Sequence, residues 1–110
     1  MTIDATLEAL ADPSRRGVVD LLRKKPRRAG ELADALGMSP PAMSRHLRVL
    51  RKNGLVELDI DELDARAKVY RLRQEPFTQL RAWLEGVERF WSLELSAFKD
   101  HVERTRGKKP

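Results

Sequence analysis

The segment from Gly37 to Gly54 limits the fold more than any other part of the chain, because it encloses one helix between two glycines. Ser39 is of the type that caps helix N-termini, and Pro40 is tolerated in a first turn, where the helix needs no backbone donor. Apolar residues then recur every three or four positions, as one buried helical face requires. We therefore predict a helix over residues 39–52. Its buried residues would be Met43, Leu47 and Leu50.

The face of this helix opposite the buried residues is basic and carries no acidic residue. Its first turn has small side chains that can enter a groove, and its hydroxyl and guanidinium groups can donate hydrogen bonds to base edges and phosphates. A solvated basic surface is the alternative interpretation. If the face binds DNA, the contacting residues are Ser39, Pro40, Pro41, Ser44, Arg45, Arg48 and Lys52.

Two helices are predicted before Pro26. Apolar spacing places the first over residues 3–11, and Asp12 and Pro13 interrupt it. Asp12 is also a suitable N-cap, and Pro13 a suitable first residue, for the second helix. The buried residues of that second helix would be Val18, Leu21 and Leu22.

A short third helix is predicted from Gly30 to Leu36, and Gly37 supplies the left-handed residue that stops it. It is separated from the helix over 39–52 by a tight turn. Two short helices joined in this way form a helix-turn-helix, in which the second helix recognises DNA.

A β-hairpin follows the predicted recognition helix. The runs "LVELDI" and "RAKVYRLR" have the alternation and residue types of strands, with "DELDA" at the tip. A hairpin at this position makes the fold a winged helix-turn-helix, in which Arg66 and Lys68 can reach flanking phosphates or a minor groove. Residues 57–64, however, hold five acids and no base. Their charge would oppose DNA binding unless it points away from the phosphates.

A long helix with a continuous apolar stripe is predicted over residues 76–103. At 1.5 Å per residue it would be roughly 40 Å long, which exceeds the width of so small a domain. Plain intramolecular core is one interpretation, but a second copy of the chain covers such a stripe better, so we predict a homodimer. The interface residues would be Leu80, Trp83, Leu84, Val87, Phe90, Trp91 and Phe98.

The chain has 110 residues, enough for one core, and we predict one domain over residues 1–103 with a disordered basic tail at 104–110. The net charge of +5 is unevenly distributed, since residues 21–56 hold nine Lys or Arg and two acids. This segregation favours a polyanionic partner. The tail and the run "RKKPRR" are either solvated or additional DNA contacts.

Several classes of protein are excluded by composition. Without cysteine the chain has no disulfide, thiolate zinc site or cysteine nucleophile, and two histidines are too few for a transition-metal site, so we predict no cofactor and no metal. Ser44 and His46 point to different sides of one helix, and there is no glycine-rich phosphate loop, so we predict no enzyme. No apolar run is long enough to cross a membrane, and the N-terminus lacks a secretory pattern. The expected location is cytoplasmic.

Three stretches resemble the ArsR/SmtB family of winged helix-turn-helix transcriptional repressors: "LADPSRRGVVDLL", "GELADALGMSPPAMSRHLRVLRKNGLV" and "YRLRQEPF". The resemblance covers about residues 3–100, and the ending is similar to the branch without cysteine metal sites. It implies a bacterial homodimeric repressor that binds a palindromic double-stranded DNA operator through the helix 39–52. In two places the chain departs from the family pattern. Arg28 stands where a hydroxyl residue usually caps the third helix, and the wing tip is acidic rather than basic and glycine-rich.

Some alternatives stay open. His46 is either structural or a phosphate contact, and His101 is a single candidate ligand on the last helix. A winged helix that docks a protein and has lost specific DNA binding is the rival function, although it would favour an acidic or apolar recognition face. Relief of repression could come from a small organic effector, a partner protein or neither.

Overall fold

The computed structural model describes residues 2–107, with side chains up to residue 105. The architecture is mainly α with one antiparallel hairpin, which confirms the predicted winged helix-turn-helix. In chain order the elements are α1 Ile3–Ala9, α2 Pro13–Leu22, α3 Ala29–Ala35, α4 Pro40–Lys52, β1 Val56–Asp61, β2 Asp64–Leu72 and α5 Gln74–Gly107.

The starts of α2 and α4 confirm the caps predicted from sequence. The Asp12 carboxylate accepts hydrogen bonds from the backbone N–H groups of Ser14 at 2.7 Å and Arg15 at 3.3 Å. The Ser39 hydroxyl oxygen accepts one from the backbone N–H of Ala42 at 3.3 Å. In each helix these bonds satisfy first-turn donors that have no partner within the helix, so both helices begin at a defined residue.

The glycines after α3 and α4 are both left-handed, with φ of 63° at Gly37 and 79° at Gly54. α3 begins differently, because Arg28 has no acceptor to offer as a cap. Instead the Glu31 carboxylate accepts from the backbone N–H of Arg28 at 3.1 Å. The first turn of α3 is thus stabilised from within the helix, which frees the Arg28 side chain for another contact.

A single apolar core holds α1 to α4 against the hairpin. The predicted buried residues of α2 and α4 are confirmed, except that Leu21 is only half-buried. Fully burying one such side chain stabilises a fold by about 1.5–3 kcal/mol, so the three core residues of α4 fix the orientation of that helix. The buried core comprises Ala9, Val18, Leu22, Leu32, Ala33, Met43, Leu47, Leu50, Leu55 and Val56.

The hairpin has a tighter tip than the sequence predicts, since only Glu62 and Leu63 lie between the two strands. Two side-chain hydrogen bonds stabilise the short tip. The carboxylate of Asp61 accepts from the backbone N–H of Leu63 at 2.9 Å, and the carboxylate of Asp64 accepts from the backbone N–H of Arg66 at 3.0 Å. Aspartates often stabilise turns in this way, bonding to the backbone two residues later. The strands therefore continue through both aspartates of the predicted tip.

Helix α5 is longer at both ends than the predicted 76–103. It begins at Gln74, because Pro76 is tolerated in a first turn, and it continues to Gly107. The predicted disordered tail at 104–110 therefore overlaps the helix by four residues, and its last three residues lie outside the described residues. Basic residues near a helix C-terminus favour such an extension.

The contacts group the chain into two units, Met1–Thr78 and Gln79–Pro110, whereas the sequence predicts one domain over 1–103. The first unit contains the core described above. The second is helical from Gln79 to Gly107, and it exposes large apolar side chains, from 36% at Val87 to 67% at Phe98. No helix within residues 2–107 is long and apolar enough to span a bilayer.

Candidate nucleic-acid interface

Helix α4 presents the seven predicted DNA-contacting residues together. All seven are exposed, and they lie on α4 or at its N-cap. Because successive helical residues are rotated by about 100°, Arg45 and Lys52 lie opposite the buried stripe, with Arg48 beside them. The core therefore fixes the helix with its basic face outward.

The cations of this face are not neutralised by neighbours. None of the ion pairs within residues 2–105 involves Arg45, Arg48 or Lys52. Most wing acids, in contrast, lie within ion-pair distance of an arginine. Uncompensated positive charge is therefore concentrated on α4, where it can attract a polyanion.

Strand register separates the wing acids from this basic face. Cross-strand partners share one face of an antiparallel ladder, and Leu58 pairs with Tyr70 while Ile60 pairs with Lys68. Glu57 pairs with Arg71 and Asp59 with Val69, so both acids lie on the opposite face. Tyr70 lines a cavity beside α4. Two of the five wing acids therefore point away from the recognition helix.

A third wing acid is tied to the start of α3. The Asp61 carboxylate accepts a hydrogen bond from Arg28 Nε at 2.9 Å, and its oxygen lies 2.8 Å from Arg28 Nη2. The hydrogen bond from the backbone N–H of Leu63 and, next, the Arg28 guanidinium lower the pKa of Asp61. We did not predict this contact. The sequence held a signal for it, because Arg28 stands at the N-cap of α3 and an arginine side chain cannot accept the hydrogen bond that a cap requires.

The two predicted wing contacts lie on β2 and are both exposed. Arg66 is 93% exposed, and its Nε lies 3.6 Å from the Asp64 carboxylate. Lys68 pairs with Ile60 in the regular part of the ladder, which places it on the same face of the strand as Tyr70. Arg66 lies beyond a register shift that follows Ile60. The register thus orients Lys68 toward the α4 side of the hairpin. Their contact with DNA stays a prediction.

A cavity of about 470 Å³ lies between α4 and β2. Two of its residues, Arg51 and Tyr70, were not among the predicted contacts. Arg51 belongs to the acid-free segment and lies three positions after Arg48, which was a usable signal, whereas Tyr70 depends on strand register. The lining comprises Ser44, Leu47, Arg48, Arg51, Lys52 and Tyr70.

His46 is half-buried on the opposite flank of α4. Its Nδ1 lies 3.5 Å from Nη1 of Arg15, which also donates from Nε to the carbonyl of Ala9 at 2.7 Å and from Nη2 to that of Glu8 at 3.2 Å. Arg15 therefore connects the end of α1 and the start of α2 to the recognition helix. This supports the structural interpretation of His46. His101 is exposed on α5.

The acidic group Asp12 lies in the same region. Partial burial raises the pKa of its carboxyl. The hydrogen bonds from the backbone N–H groups of Ser14 and Arg15 lower the pKa and together outweigh burial, so the pKa lies below its usual value. Asp12 thus stays ionised as a cap near the positive end of α2. Its role is to position the helix.

Comparisons with known proteins agree with this arrangement. The model of the bacterial regulatory protein arsR family matches residues 12–57, which include the whole helix-turn-helix. The HTH-type transcriptional regulator Rv2034 of Mycobacterium tuberculosis is 37% identical over 100 residues, covering 91% of this chain and 88% of the relative.

Solved structures give the same result. An ArsR-like transcriptional regulator from Rhodococcus sp. RHA1 superposes with a TM-score of 0.73 at 28% identity, covering 89% of this chain and 90% of the other. A second neighbour is a homodimeric winged helix-turn-helix DNA-binding domain of Mb0332 from Mycobacterium bovis, a possible ArsR-family transcriptional regulator. Its TM-score is 0.62 at 29% identity, with coverage of 79% and 78%. The chain therefore belongs to the arsR family of bacterial regulatory proteins and is a winged helix-turn-helix transcriptional regulator.

Proposed function

We propose that the protein is a homodimeric repressor that binds a palindromic double-stranded DNA operator through α4. The observation that carries this proposal is the distribution of charge. The exposed cations of α4 have no ion-pair partner within residues 2–105, whereas Glu57, Asp59 and Asp61 pair with arginines on the far face or behind the wing. A DNA-binding surface requires this separation, because unpaired acids near phosphates would oppose binding.

The proposed dimer rests on the second unit. Trp83 is 48%, Phe90 57% and Trp91 59% exposed along one helix, and large contiguous apolar patches mark interaction sites. The Mycobacterium bovis neighbour is homodimeric, which supports a second copy as the partner. A two-fold axis would present two recognition helices to half-sites about 10 base pairs apart. The predicted interface residues Leu80, Trp83, Leu84, Val87, Phe90, Trp91 and Phe98 all belong to α5.

Contacts with the operator follow from side-chain chemistry. Arg45 and Arg48 carry planar guanidinium groups that can bond a guanine edge in bidentate fashion, while Lys52 suits a phosphate. Arg66 and Lys68 extend from the wing toward flanking phosphates. Ser39, Pro40, Pro41 and Ser44 keep the N-terminal end of α4 narrow enough for the major groove.

Repression would occur by occlusion, in which the bound dimer denies polymerase access to an overlapping promoter. This mechanism needs binding without catalysis or a cofactor. It places the protein with the DNA in the cytoplasm. A small-molecule effector or a partner protein that releases the dimer is compatible with this mechanism.

The test is fluorescence anisotropy of the purified protein with the DNA upstream of its own coding sequence and with a scrambled duplex, across a salt series. We expect a preference above about 10³ and a steep loss of affinity with salt. Equal, weak binding to both duplexes would contradict a specific operator and favour a winged helix that docks a protein. Salt-insensitive binding would contradict the role of the basic face.

A further inference from the structure

The cavity between α4 and β2 has a lining that suits an anion. Its polar residues are three cations and two hydroxyl-bearing side chains, with no acid among them. Arg51, like Arg48 and Lys52, takes part in none of the ion pairs within residues 2–105. Guanidinium groups bind phosphate through parallel hydrogen bonds, and a hydroxyl can add a further donor.

The position of the cavity indicates which phosphate it would meet. In a duplex, one sugar-phosphate backbone separates each major groove from the adjacent minor groove. If α4 enters the major groove and β2 approaches the neighbouring minor groove, that backbone must cross the surface between the two elements. The cavity lies on this path.

Tyr70 is held firmly on the β2 side of the cavity. Its backbone N–H donates to the carbonyl of Arg27 at 2.7 Å, and its own carbonyl accepts from the N–H of Arg27 at 3.2 Å. Its side chain is half-buried and packs against the apolar core. A side chain fixed in this way can position a phosphate with little loss of conformational freedom.

Arg51 lies in the last turn of α4, where a cation also stabilises the helix dipole. The helix dipole does not account for the position of Arg51 beside Arg48, Tyr70 and Ser44 in the lining of one cavity. It predicts an effect on stability, whereas phosphate binding predicts an effect on affinity. The two roles are therefore separable by measurement.

We propose that the groove between α4 and β2 seats one phosphodiester of the operator backbone, with Arg51 and Tyr70 as positioning residues. This proposal rests on the proposed function, because it assumes that α4 binds DNA. This phosphate contact would not distinguish one base sequence from another. It fixes the register in which Arg45 meets the base edges.

The first test compares Arg51→Gln and Tyr70→Phe with the wild type on the operator and on the scrambled duplex. We expect Arg51→Gln to lose affinity roughly tenfold on both duplexes, to keep the preference ratio, and to reduce the salt slope by about one. Tyr70→Phe should lose affinity by a smaller factor on both. Arg89→Gln is the matched control, because it removes the same charge from an exposed position on the polar side of α5.

The second test replaces single operator phosphates by neutral methylphosphonates. One position should weaken wild-type binding and leave Arg51→Gln unaffected, which identifies the seated phosphate. If every methylphosphonate weakens both proteins equally, the proposal is wrong. It is also wrong if Arg51→Gln lowers the melting temperature without changing affinity. Failure of the wild type to prefer its operator would instead contradict the proposed function itself.

Discussion

At the scale of single residues, the recognition surface depends on which charges have partners. Arg45 and Arg28 are both arginines near the helix-turn-helix, yet only Arg28 meets a carboxylate, that of Asp61. Composition does not distinguish them. Within residues 2–105 the Arg45 guanidinium has no ion-pair partner, which leaves its donors available for the base contact that we propose, whereas the Arg28 guanidinium ties the start of α3 to the wing.

Replacing Arg45 by alanine tests the unpaired guanidinium. We expect Arg45→Ala to weaken operator binding by about 1–3 kcal/mol and to relax preference at one base pair, because a bidentate base contact is lost. Anisotropy titrations with operator variants measure both effects. Lys52→Ala is the control on the same helix, and it should weaken binding to all duplexes equally. Unchanged preference in Arg45→Ala would contradict the assignment.

The carboxyl of Asp61 makes stability depend on pH, because the backbone N–H of Leu63 and the Arg28 guanidinium both favour its ionised form. The folded chain lowers the pKa of this carboxyl, so in acid the unfolded chain binds the proton more readily. The stabilising contribution is present above the unfolded pKa of about 3.9 and is lost as pH falls through the folded value. We expect Asp61→Asn to reduce the fall in the free energy of unfolding between pH 5 and pH 2, because one carboxyl with a lowered pKa no longer contributes to it.

Urea denaturation at a series of pH values measures this dependence. Glu62→Gln is the control, because Glu62 is exposed at the adjacent tip position and takes part in none of the ion pairs within residues 2–105. It removes a nearby carboxylate and leaves the contacts of Asp61 in place. A profile for Asp61→Asn identical to that of the wild type would contradict a lowered pKa of Asp61 in the folded chain.

At the scale of elements, the helices were predictable because their ends depend on neighbouring residues. Asp12 and Ser39 cap the helices that follow them, and Gly37 and Gly54 terminate the helices that precede them, as the sequence predicts. The hairpin tip was less predictable. Its length depends on aspartate side chains that bond to backbone groups two residues later, which residue type alone does not require.

Two glycines offer a matched test of the turn before α4. Gly37 has φ of 63°, where an L side chain costs about 1–2 kcal/mol, so we expect Gly37→Ala to destabilise the fold by that amount. Gly30 lies inside α3, and a Cβ added there would meet no atom within 4 Å, so Gly30→Ala should be neutral or stabilising by up to about 1 kcal/mol. Urea denaturation measures both. Equal effects would contradict the left-handed turn.

At the scale of the whole molecule, α5 carries a row of large apolar side chains that are exposed in the single chain. Its aromatic side chains Phe90 and Trp91 lie edge to face, with ring centroids 6.0 Å apart. Exposed aromatics contribute strongly to interfaces when they become buried. A second copy of the chain is the partner that the proposed function requires.

A charge introduced on this face should prevent dimerisation. We expect Trp91→Lys to be monomeric at micromolar concentration and to bind the operator much more weakly, because two half-sites are no longer bound together. Sedimentation velocity measures the oligomeric state. Leu93→Lys is the control, since Leu93 is 66% exposed but lies about 200° around the helix from Trp91. Dimerisation of both variants would contradict α5 as the interface.

The sequence by itself determined the order of elements, the core residues of α4 and the basic face of that helix. These features depend on caps, glycines and a spacing of three or four, which act between residues close together in the chain. Only the tertiary structure decided where the wing acids point, that Arg28 binds Asp61, and that Tyr70 and Arg51 share a cavity. Each of these depends on strand register, where a slip of one residue would turn every side chain to the other face.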